Sequence, residues 1–351
     1  MRAFVCFGVL LSITARASAD QEMAIEVPEA PHYALSGKKL VIEDAAGVET
    51  SHASVTLALC GDRLCPPYDG LLLPLKIRAT GPIRINDRRL LGALWAIVQD
   101  DALVVINRLP LEDYLAATVG SEMPRSFPPE ALKAQAVAAR TYALSRKITR
   151  EGAVAHLRSS TLDQVYGGLV NSTEETRAAV QATAGEVLVY ERTPIEAFFF
   201  SSCSGTTRDP GLVFGGAYPY IKSVECACGA DKPLAWSARL SFTELERKLG
   251  GKVSGVALEG EASDGRPRAI VFSPRDKRFS PEELRKKLGY TVIKSADLHV
   301  ACDEKGCTFS GAGYGHGVGM CQHGARAMAT AGKNYKEILE HYYPGAQLKK
   351  L

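Results

Sequence analysis

One glutamate lies at the end of an apolar helical stripe, directly before a turn that stops the helix. Leu111, Leu115, Thr118 and Glu122 follow the three-and-four spacing of a single helical face, and Pro124 prevents the helix from continuing. Burial and the helix dipole would both raise the pKa of a carboxyl placed there. A carboxyl that stays protonated near neutral pH is suited to general acid catalysis. The alternative is a frayed helix end whose glutamate points into water.

The helix predicted after Pro124 is rich in alanine, and three of its polar residues stand out against small neighbours. These residues are Gln135, Arg140 and Tyr142. Small side chains allow another segment of backbone to approach closely, so the polar residues stand out. Arg140 either pairs with a surface acid, or holds a polar ligand or orients a carboxylate.

A second candidate region has glycine at every second position from 311 to 319. In an extended chain this pattern strips one face of side chains, which weakens a strand unless a ligand or another backbone approaches closely. His316, Gln322 and His323 cluster where this segment is expected to lead into a helix. Two histidines beside bare glycines suggest a functional site, with a structural role as the alternative.

A metal centre is a further alternative for this region. His316, Cys321 and His323 carry atoms that bind transition metals, and a metal hydrolase would use His316 and His323. Their spacing matches no standard zinc signature, and no H-E-x-x-H motif accompanies them.

The first nineteen residues predict an exported protein. Arg2 precedes a short apolar run and the small residues Ala17-Ser18-Ala19, a pattern typical of a secretory signal peptide. No later stretch has the length of a transmembrane helix. Removing residues 1–19 takes away two arginines and no acids, so the formal charge falls from +3 to +1. This charge gives no indication of nucleic-acid binding, and we expect a periplasmic or extracellular envelope location.

Nine cysteines become eight once Cys6 leaves with the predicted signal peptide. An even number in an oxidising compartment favours disulfides. Two pairs each bracket four residues, and we predict that each closes a local bridge: Cys60 with Cys65, and Cys302 with Cys307. Four cysteines stay unassigned by spacing alone, namely Cys203, Cys226, Cys228 and Cys321.

The chain changes character near residue 104. Residues 20–103 form a strand-rich N-terminal section, whereas strong helical patterns follow at 110–123, 129–149 and 173–183. Later helices are expected at SFTELERKL, at SPEELRKKL, near 321–332 and at NYKEILEHYYPG. We therefore predict an α+β fold of mixed sheets with helices, in which the N-terminal section joins a domain spanning residues 104–351.

Several ordered segments over about residues 104–345 resemble the stage II sporulation protein D (SpoIID/LytB) family, also called the amidase-enhancer domain. The segments that carry the resemblance are NRLPLEDYLAATVGSEMPRSFPPEALKAQAVAARTYAL, TLDQVYGG, AFFFSSCSGTTRD, YPYIKSVECACG, SPEELRKKLG and GAGYGHGVGMCQHGARAMA. The resemblance implies a peptidoglycan lytic transglycosylase that cleaves MurNAc-GlcNAc bonds, characteristically in glycan strands stripped of peptides. It assigns the catalytic acid to Glu122, in agreement with the helical stripe.

The resemblance also implies substrate-binding residues at the matching motifs. The implied reaction requires no cofactor. These residues are Arg140, Tyr142, Gln164, Tyr166, His316 and Gln322. An aromatic face at Tyr166 would stack on sugar and the Gln164 amide would bind hydroxyls, with a strand edge and turn as the alternative. The runner-up function is a non-catalytic peptidoglycan-binding protein that enhances an N-acetylmuramoyl-L-alanine amidase.

The chain departs from the family pattern at its cysteines. Cys321 and His323 replace the usual serine and tyrosine, which leaves the roles of both positions open. Cys203, Cys226 and Cys228 would either form disulfides, which we favour, or hold a structural zinc with a fourth ligand.

Overall fold

A computed structural model describes residues 21–159, 163–228 and 235–351. The predicted signal peptide and Cys6 lie outside the described residues. Within these ranges no helix combines the length and the apolar character that crossing a bilayer requires.

Seven of the eight described helices follow the sequence patterns, and the short helix at Pro210–Phe214 was not predicted. The described chain contains α1 (Leu111–Glu122), α2 (Pro129–Thr149), α3 (Glu174–Ala182), α4 (Pro210–Phe214), α5 (Phe242–Leu249), α6 (Pro281–Leu288), α7 (Gln322–Thr330) and α8 (Tyr335–Tyr342). Capping boxes begin four of them, at Thr173, Ser241, Ser280 and Asn334. Each cap satisfies backbone N–H groups that a helix start leaves unpaired, which fixes where the helix begins.

Strands make up most of the remaining regular structure. They are β1 (Glu22–Glu26), β2 (Tyr33–Glu43), β3 (Glu49–Leu57), β4 (Leu59–Cys60), β5 (Arg63–Leu64), β6 (Leu75–Arg78), β7 (Ile83–Ile85), β8 (Arg88–Leu90), β9 (Ala93–Gln99), β10 (Ala102–Pro110), β11 (Leu157–Arg158), β12 (Glu186–Tyr190), β13 (Thr193–Pro194), β14 (Phe199–Phe200), β15 (Ala235–Ser241), β16 (Gly255–Glu261), β17 (Pro267–Ser273), β18 (Lys277–Phe279), β19 (Leu298–Asp303), β20 (Gly306–Ala312), β21 (Met320–Cys321) and β22 (Gln347–Lys350).

The N-terminal strands form one large sheet that also reaches into the later chain. Its order is β11-β1-β10-β9-β6-β2-β7-β8, and β3 pairs with β2. Smaller sheets have the orders β13-β12-β22, β15-β20-β19 and β16-β17-β18, while β14 pairs with β21 and β4 with β5. Helices and mixed sheets together confirm the predicted α+β class.

Two hydrophobic cores organise the described residues. The first takes side chains from the large sheet, from α1, α2 and α3, and from the end of the chain around α7 and α8. The predicted boundary between residues 103 and 104 falls inside β10, and residues on both sides of it contribute to this core.

The second core lies within residues 236–309, between two stretches that belong to the first. It packs the apolar faces of α5 and α6 against β15, β17 and β20, with Leu245, Leu284 and Phe309 fully buried. Residues before and after this stretch contribute to the first core, and the pairing of β14 with β21 joins those two parts of the chain. Local helix and strand patterns do not reveal such an excursion.

Both local disulfides predicted from spacing are confirmed. Cys60 and Cys65 close a turn with an S–S distance of 2.09 Å, and Cys302 and Cys307 close another at 2.12 Å. The second bridge joins β19 to β20, where these two cysteines are direct cross-strand partners.

The glycine-rich segment is not the extended strand that alternation predicts. Strand β20 ends at Ala312, and the glycines at 313, 315, 317 and 319 all have positive φ. Each of them lies against another part of this chain between residues 198 and 208. A Cβ on Gly319, for example, would lie 2.1 Å from the Phe198 carbonyl oxygen. Gly313 and Gly319 approach backbone, whereas Gly315 and Gly317 approach the Phe200 and Arg208 side chains.

We expect Gly319→Ala to destabilise the fold by more than about 2 kcal/mol, because it adds a steric clash to left-handed strain. The matched control is Gly332→Ala. Gly332 also has positive φ, at 87°, but a Cβ there would meet nothing within 4 Å. Urea unfolding of both variants separates the destabilisation by the steric clash from that by left-handed backbone strain. Equal midpoints would contradict the close-approach explanation.

Candidate active site

Glu122 is the last residue of α1, and its carboxyl is half-buried. The backbone N–H of Val165 donates to its Oε1 at 2.5 Å. Burial raises the pKa of this carboxyl from 4.5 to about 7, and the Val165 hydrogen bond opposes that shift only in part. A group with this pKa can both give and take a proton at neutral pH.

The large sheet and the two long helices place this carboxyl. Strand β10 runs directly into α1. Within the large sheet β10 pairs with β1, and β1 pairs in turn with β11. Strand β11 leads towards residues 163–167, which we call the clamp segment, beside the C-terminal end of α1.

Gln164 fixes the clamp segment between the helices. Its Oε1 accepts a hydrogen bond from the Tyr114 hydroxyl at 2.8 Å, and its Nε2 donates to the Ala139 carbonyl at 3.3 Å. The side chain is 1% exposed. Gln164 therefore holds Val165 against Glu122, and its predicted groove role stays a prediction.

Tyr166 is likewise a support of the clamp segment. It is 3% exposed, and its hydroxyl donates to Asn107 Oδ1 at 3.0 Å. Its ring lies 5.3 Å from that of Tyr114, and Arg88 donates to its carbonyl at 2.8 Å. These contacts support the clamp segment, and the predicted stacking of Tyr166 on sugar stays a prediction.

Asp163, at the start of the clamp segment, is a second acid that sequence patterns did not single out. Arg150 donates to both of its carboxylate oxygens, at 3.0 and 3.2 Å. The Tyr142 hydroxyl lies 3.3 Å from one oxygen, and the backbone N–H of Arg158 donates to the other at 2.9 Å. These contacts occupy the carboxylate and make it a structural anion.

Arg140 contacts Glu112 and does not contact Glu122. It is fully buried and binds the Glu112 carboxylate in a bidentate way, at 3.0 and 2.8 Å. It also donates to the carbonyls of Val180 and Glu186, which joins α2 to α1, α3 and β12. These contacts give Arg140 a packing role, and its predicted substrate contact stays a prediction.

Tyr142, on α2 like Arg140, is also buried and bonded within the protein. Its hydroxyl lies between Asp163 and the Arg146 guanidinium, whose Nε donates to it at 3.0 Å. Burial raises the pKa of this phenol. At 4% exposed, Tyr142 has little surface for a substrate.

His316 is enclosed by aromatic rings. Its ring lies 5.3 Å from Phe214 and 5.6 Å from Phe200, and the backbone N–H of Val318 donates to its Nδ1. Burial, with smaller effects from the charges of Arg285 and Arg208, lowers its pKa to about 3. The imidazole is therefore neutral at neutral pH.

Gln322 begins α7 and points towards α2. Its Nε2 donates to Gln135 Oε1 at 3.3 Å, and both side chains are buried. His323 packs edge-on against Phe127, with the ring centroids 5.4 Å apart. The two predicted motifs, on α2 and at the start of α7, are thus joined through Gln135.

The unassigned cysteines form a cluster of their own. Cys203, Cys226, Cys228 and Cys321 are buried and unbonded, although we favoured disulfides for the first three. Among the described residues this cluster is the one group able to supply three or more metal ligands. Cys321 thus lies with the other cysteines, and the alternative metal centre of His316, Cys321 and His323 does not form.

Comparisons with known proteins bear directly on this arrangement. A sequence model described as stage II sporulation protein matches residues 99–190, which contain α1, α2 and the clamp segment. Stage II sporulation protein D of Bacillus subtilis is 36% identical over 263 residues, covering 69% of this chain and 75% of that protein. The chain belongs to the stage II sporulation protein D family.

Two other relatives show how far this family extends. An uncharacterized protein of Brachyspira hyodysenteriae is 34% identical over 273 residues, covering 75% of this chain and 73% of that protein. A Bacillus subtilis protein named amidase enhancer is 32% identical over 290 residues, covering 67% of this chain and 40% of its own length. This confirms the family resemblance drawn from the motifs.

We expect Arg140→Ala to destabilise the protein by about 3–5 kcal/mol, because it removes a fully buried side chain together with its bidentate ion pair and its hydrogen bonds to the Val180 and Glu186 carbonyls. The matched control is Arg158→Ala. The Arg158 side chain is 63% exposed and its ion pair with Glu26 is long, at 3.5 Å, so its loss should cost less than about 1 kcal/mol. Urea unfolding measures both, and a wild-type midpoint for Arg140→Ala would reject the packing role.

The raised pKa of Glu122 makes a prediction about stability and pH. Between pH 4.5 and about 7 the folded protein keeps a proton that the unfolded chain releases, so ionisation weakens the wild-type fold as pH rises. Glu122→Gln cannot ionise. Relative to wild type, the variant should therefore gain on the order of 1–3 kcal/mol between pH 5 and pH 8. Urea unfolding at both pH values tests this, and a pH-independent difference would contradict the raised pKa.

Proposed function

We propose that this protein is a peptidoglycan lytic transglycosylase that cleaves MurNAc-GlcNAc bonds, with Glu122 as its general acid and base. The observation that carries the proposal is the half-buried Glu122 carboxyl, whose pKa is about 7. Membership of the stage II sporulation protein D family supports a role in the cell envelope.

The reaction needs one carboxyl that changes its protonation state. Protonated Glu122 gives its proton to the glycosidic oxygen as the bond from that oxygen to C1 of MurNAc breaks. The C6 hydroxyl of the same sugar then attacks C1, and the Glu122 carboxylate accepts the hydroxyl proton. The products are a free GlcNAc hydroxyl and a 1,6-anhydroMurNAc end, and Glu122 is protonated again. No water is consumed, and no cofactor is required.

The contacts of Asp163 favour this route over ordinary glycoside hydrolysis. Hydrolases use two carboxylates, the second of which activates water or attacks the sugar. Asp163 is the acid brought close by the clamp segment, and its oxygens are held by Arg150, Tyr142 and the Arg158 amide. Glu122 accepts a single backbone hydrogen bond and is the better placed of the two to exchange protons.

The substrate class and location follow from the same proposal. Glycan strands stripped of their peptides are the substrate that the family resemblance implies, and export through the predicted signal peptide would bring the protein to them. The enzyme would then act in the periplasm or the extracellular envelope.

A second function has its own support. One relative is named amidase enhancer, which favours a protein that binds peptidoglycan and stimulates an N-acetylmuramoyl-L-alanine amidase without cutting the glycan. In that case the protonation state of Glu122 would have no effect on the stimulation.

We expect Glu122→Gln to bind stripped glycan strands with near wild-type affinity and to lower the cleavage rate by at least about 100-fold, because an amide cannot donate an acid proton. Purified protein is incubated with such strands, and mass spectrometry detects anhydro ends. Glu151→Gln, at an exposed glutamate just after α2, is the matched control and should cut normally.

Two outcomes would contradict the transglycosylase proposal. Cleavage by Glu122→Gln at the wild-type rate would assign the acid to another residue. Wild-type protein that binds glycan and stimulates an amidase, but releases no anhydro product, would favour the enhancer function.

A further inference from the structure

Four cysteines from distant parts of the chain meet in one buried cluster. Cys203 follows β14, Cys226 and Cys228 precede the second core, and Cys321 ends β21. Their four sulfur atoms all lie within 4.8 Å of one another. Four cysteines this close together can either form two disulfides or bind a metal ion.

The distances favour a metal ion. Four thiolates at about 2.3 Å from a tetrahedral zinc ion are separated from one another by about 3.8 Å. The Cys203 and Cys228 sulfurs lie 3.2 Å apart, much farther than the 2.09 and 2.12 Å of the disulfides at Cys60–Cys65 and Cys302–Cys307. The same fold that bonds those two pairs keeps these four sulfurs separate and mutually close.

We propose that Cys203, Cys226, Cys228 and Cys321 hold a structural zinc ion. Four soft thiolate ligands suit zinc, and a site closed by four protein ligands is structural because no coordination position is left for substrate. The site does not depend on the proposed transglycosylase activity.

The groups around the cluster are suited to thiolates. The backbone N–H of Gly324 donates to Cys321 Sγ at 3.3 Å, and Cys321 caps the N-terminus of α7, where the helix dipole favours negative charge. The Tyr342 hydroxyl lies 3.2 Å from Cys226 Sγ and can donate to it. Cys228 Sγ lies 3.2 Å from the Cys203 carbonyl, a thiol contact that zinc binding would release with the proton.

Gly324 provides the room for this arrangement. A Cβ at this position would lie 2.3 Å from Cys226 Sγ and 2.0 Å from the Tyr342 hydroxyl oxygen. Any other residue would push α7 away from the sulfurs. The chain therefore keeps the helix close enough for Cys321 to share one ion with the other three cysteines.

The ion would join the segments that come together after the second core. Cys203 lies beside the Ser202–Tyr314 bridge, and Cys321 directly precedes Gln322, which bonds to Gln135 on α2. A zinc ion at this point would fix the start of α7 against the chain at 203 and 226–228.

Metal content and thiol content together test the proposal on wild-type protein. The exported protein is purified without reductant and without a histidine tag, and elemental mass spectrometry measures its metals. Thiols are alkylated before and after denaturation in chelator. We expect about one zinc per chain, and four thiols that react only after denaturation with chelator. Two further disulfides in place of the thiols, or four thiols with no bound zinc, would overturn the proposal.

A cysteine variant and a matched control locate the ion. Cys226→Ser should lose at least about nine-tenths of the bound zinc and lower the melting temperature. The double variant Cys60→Ser with Cys65→Ser removes a disulfide outside the cluster and should keep its zinc. Zinc retained in full by soluble Cys226→Ser would overturn the assignment, and if that variant does not fold, the wild-type measurements still decide.

Discussion

The arrangement around Glu122 depends on one electrostatic balance. A carboxyl at the C-terminal end of a helix, partly withdrawn from water, is costly to ionise, and a single hydrogen bond from the Val165 N–H offsets only part of that cost. Further donors would return the pKa to the range of an ordinary surface acid. Full burial without a donor would keep the acid permanently neutral. The observed balance lies between these limits and leaves the group able to exchange a proton.

Much of the surrounding structure maintains that balance. Gln164 and Tyr166 fix the clamp segment from both sides of Val165, through Tyr114, Ala139 and Asn107. The buried Arg140 joins the helices on which that segment rests. Polar residues in the family motifs thus support the position of the Glu122 carboxyl. Their side chains are of types that bind ligands, and the structure shows that they are buried and bonded within the protein.

Cysteines and glycines also make contacts between parts of the chain that are far apart in the sequence. The predicted local disulfides depend on residues five apart, so spacing alone identifies them. The four remaining cysteines come together only because the chain returns to its first core after building a second. Alternating glycines suggested an extended strand, whereas positive φ values and contacts with residues 198–208 show a segment packed closely on backbone and side chains of another part of the chain.

The sequence by itself determined seven of the eight described helices, the α+β class, the family and the identity of the candidate acid, whereas the short α4 was not predicted. Caps, prolines and apolar spacing act over a few residues, so they can be interpreted without the fold. Only the tertiary structure decided that Val165 is the partner of Glu122, that Arg140 faces Glu112 and that Cys321 joins three other cysteines. These outcomes depend on which surfaces lose water and which distant groups meet, and no local pattern specifies such contacts.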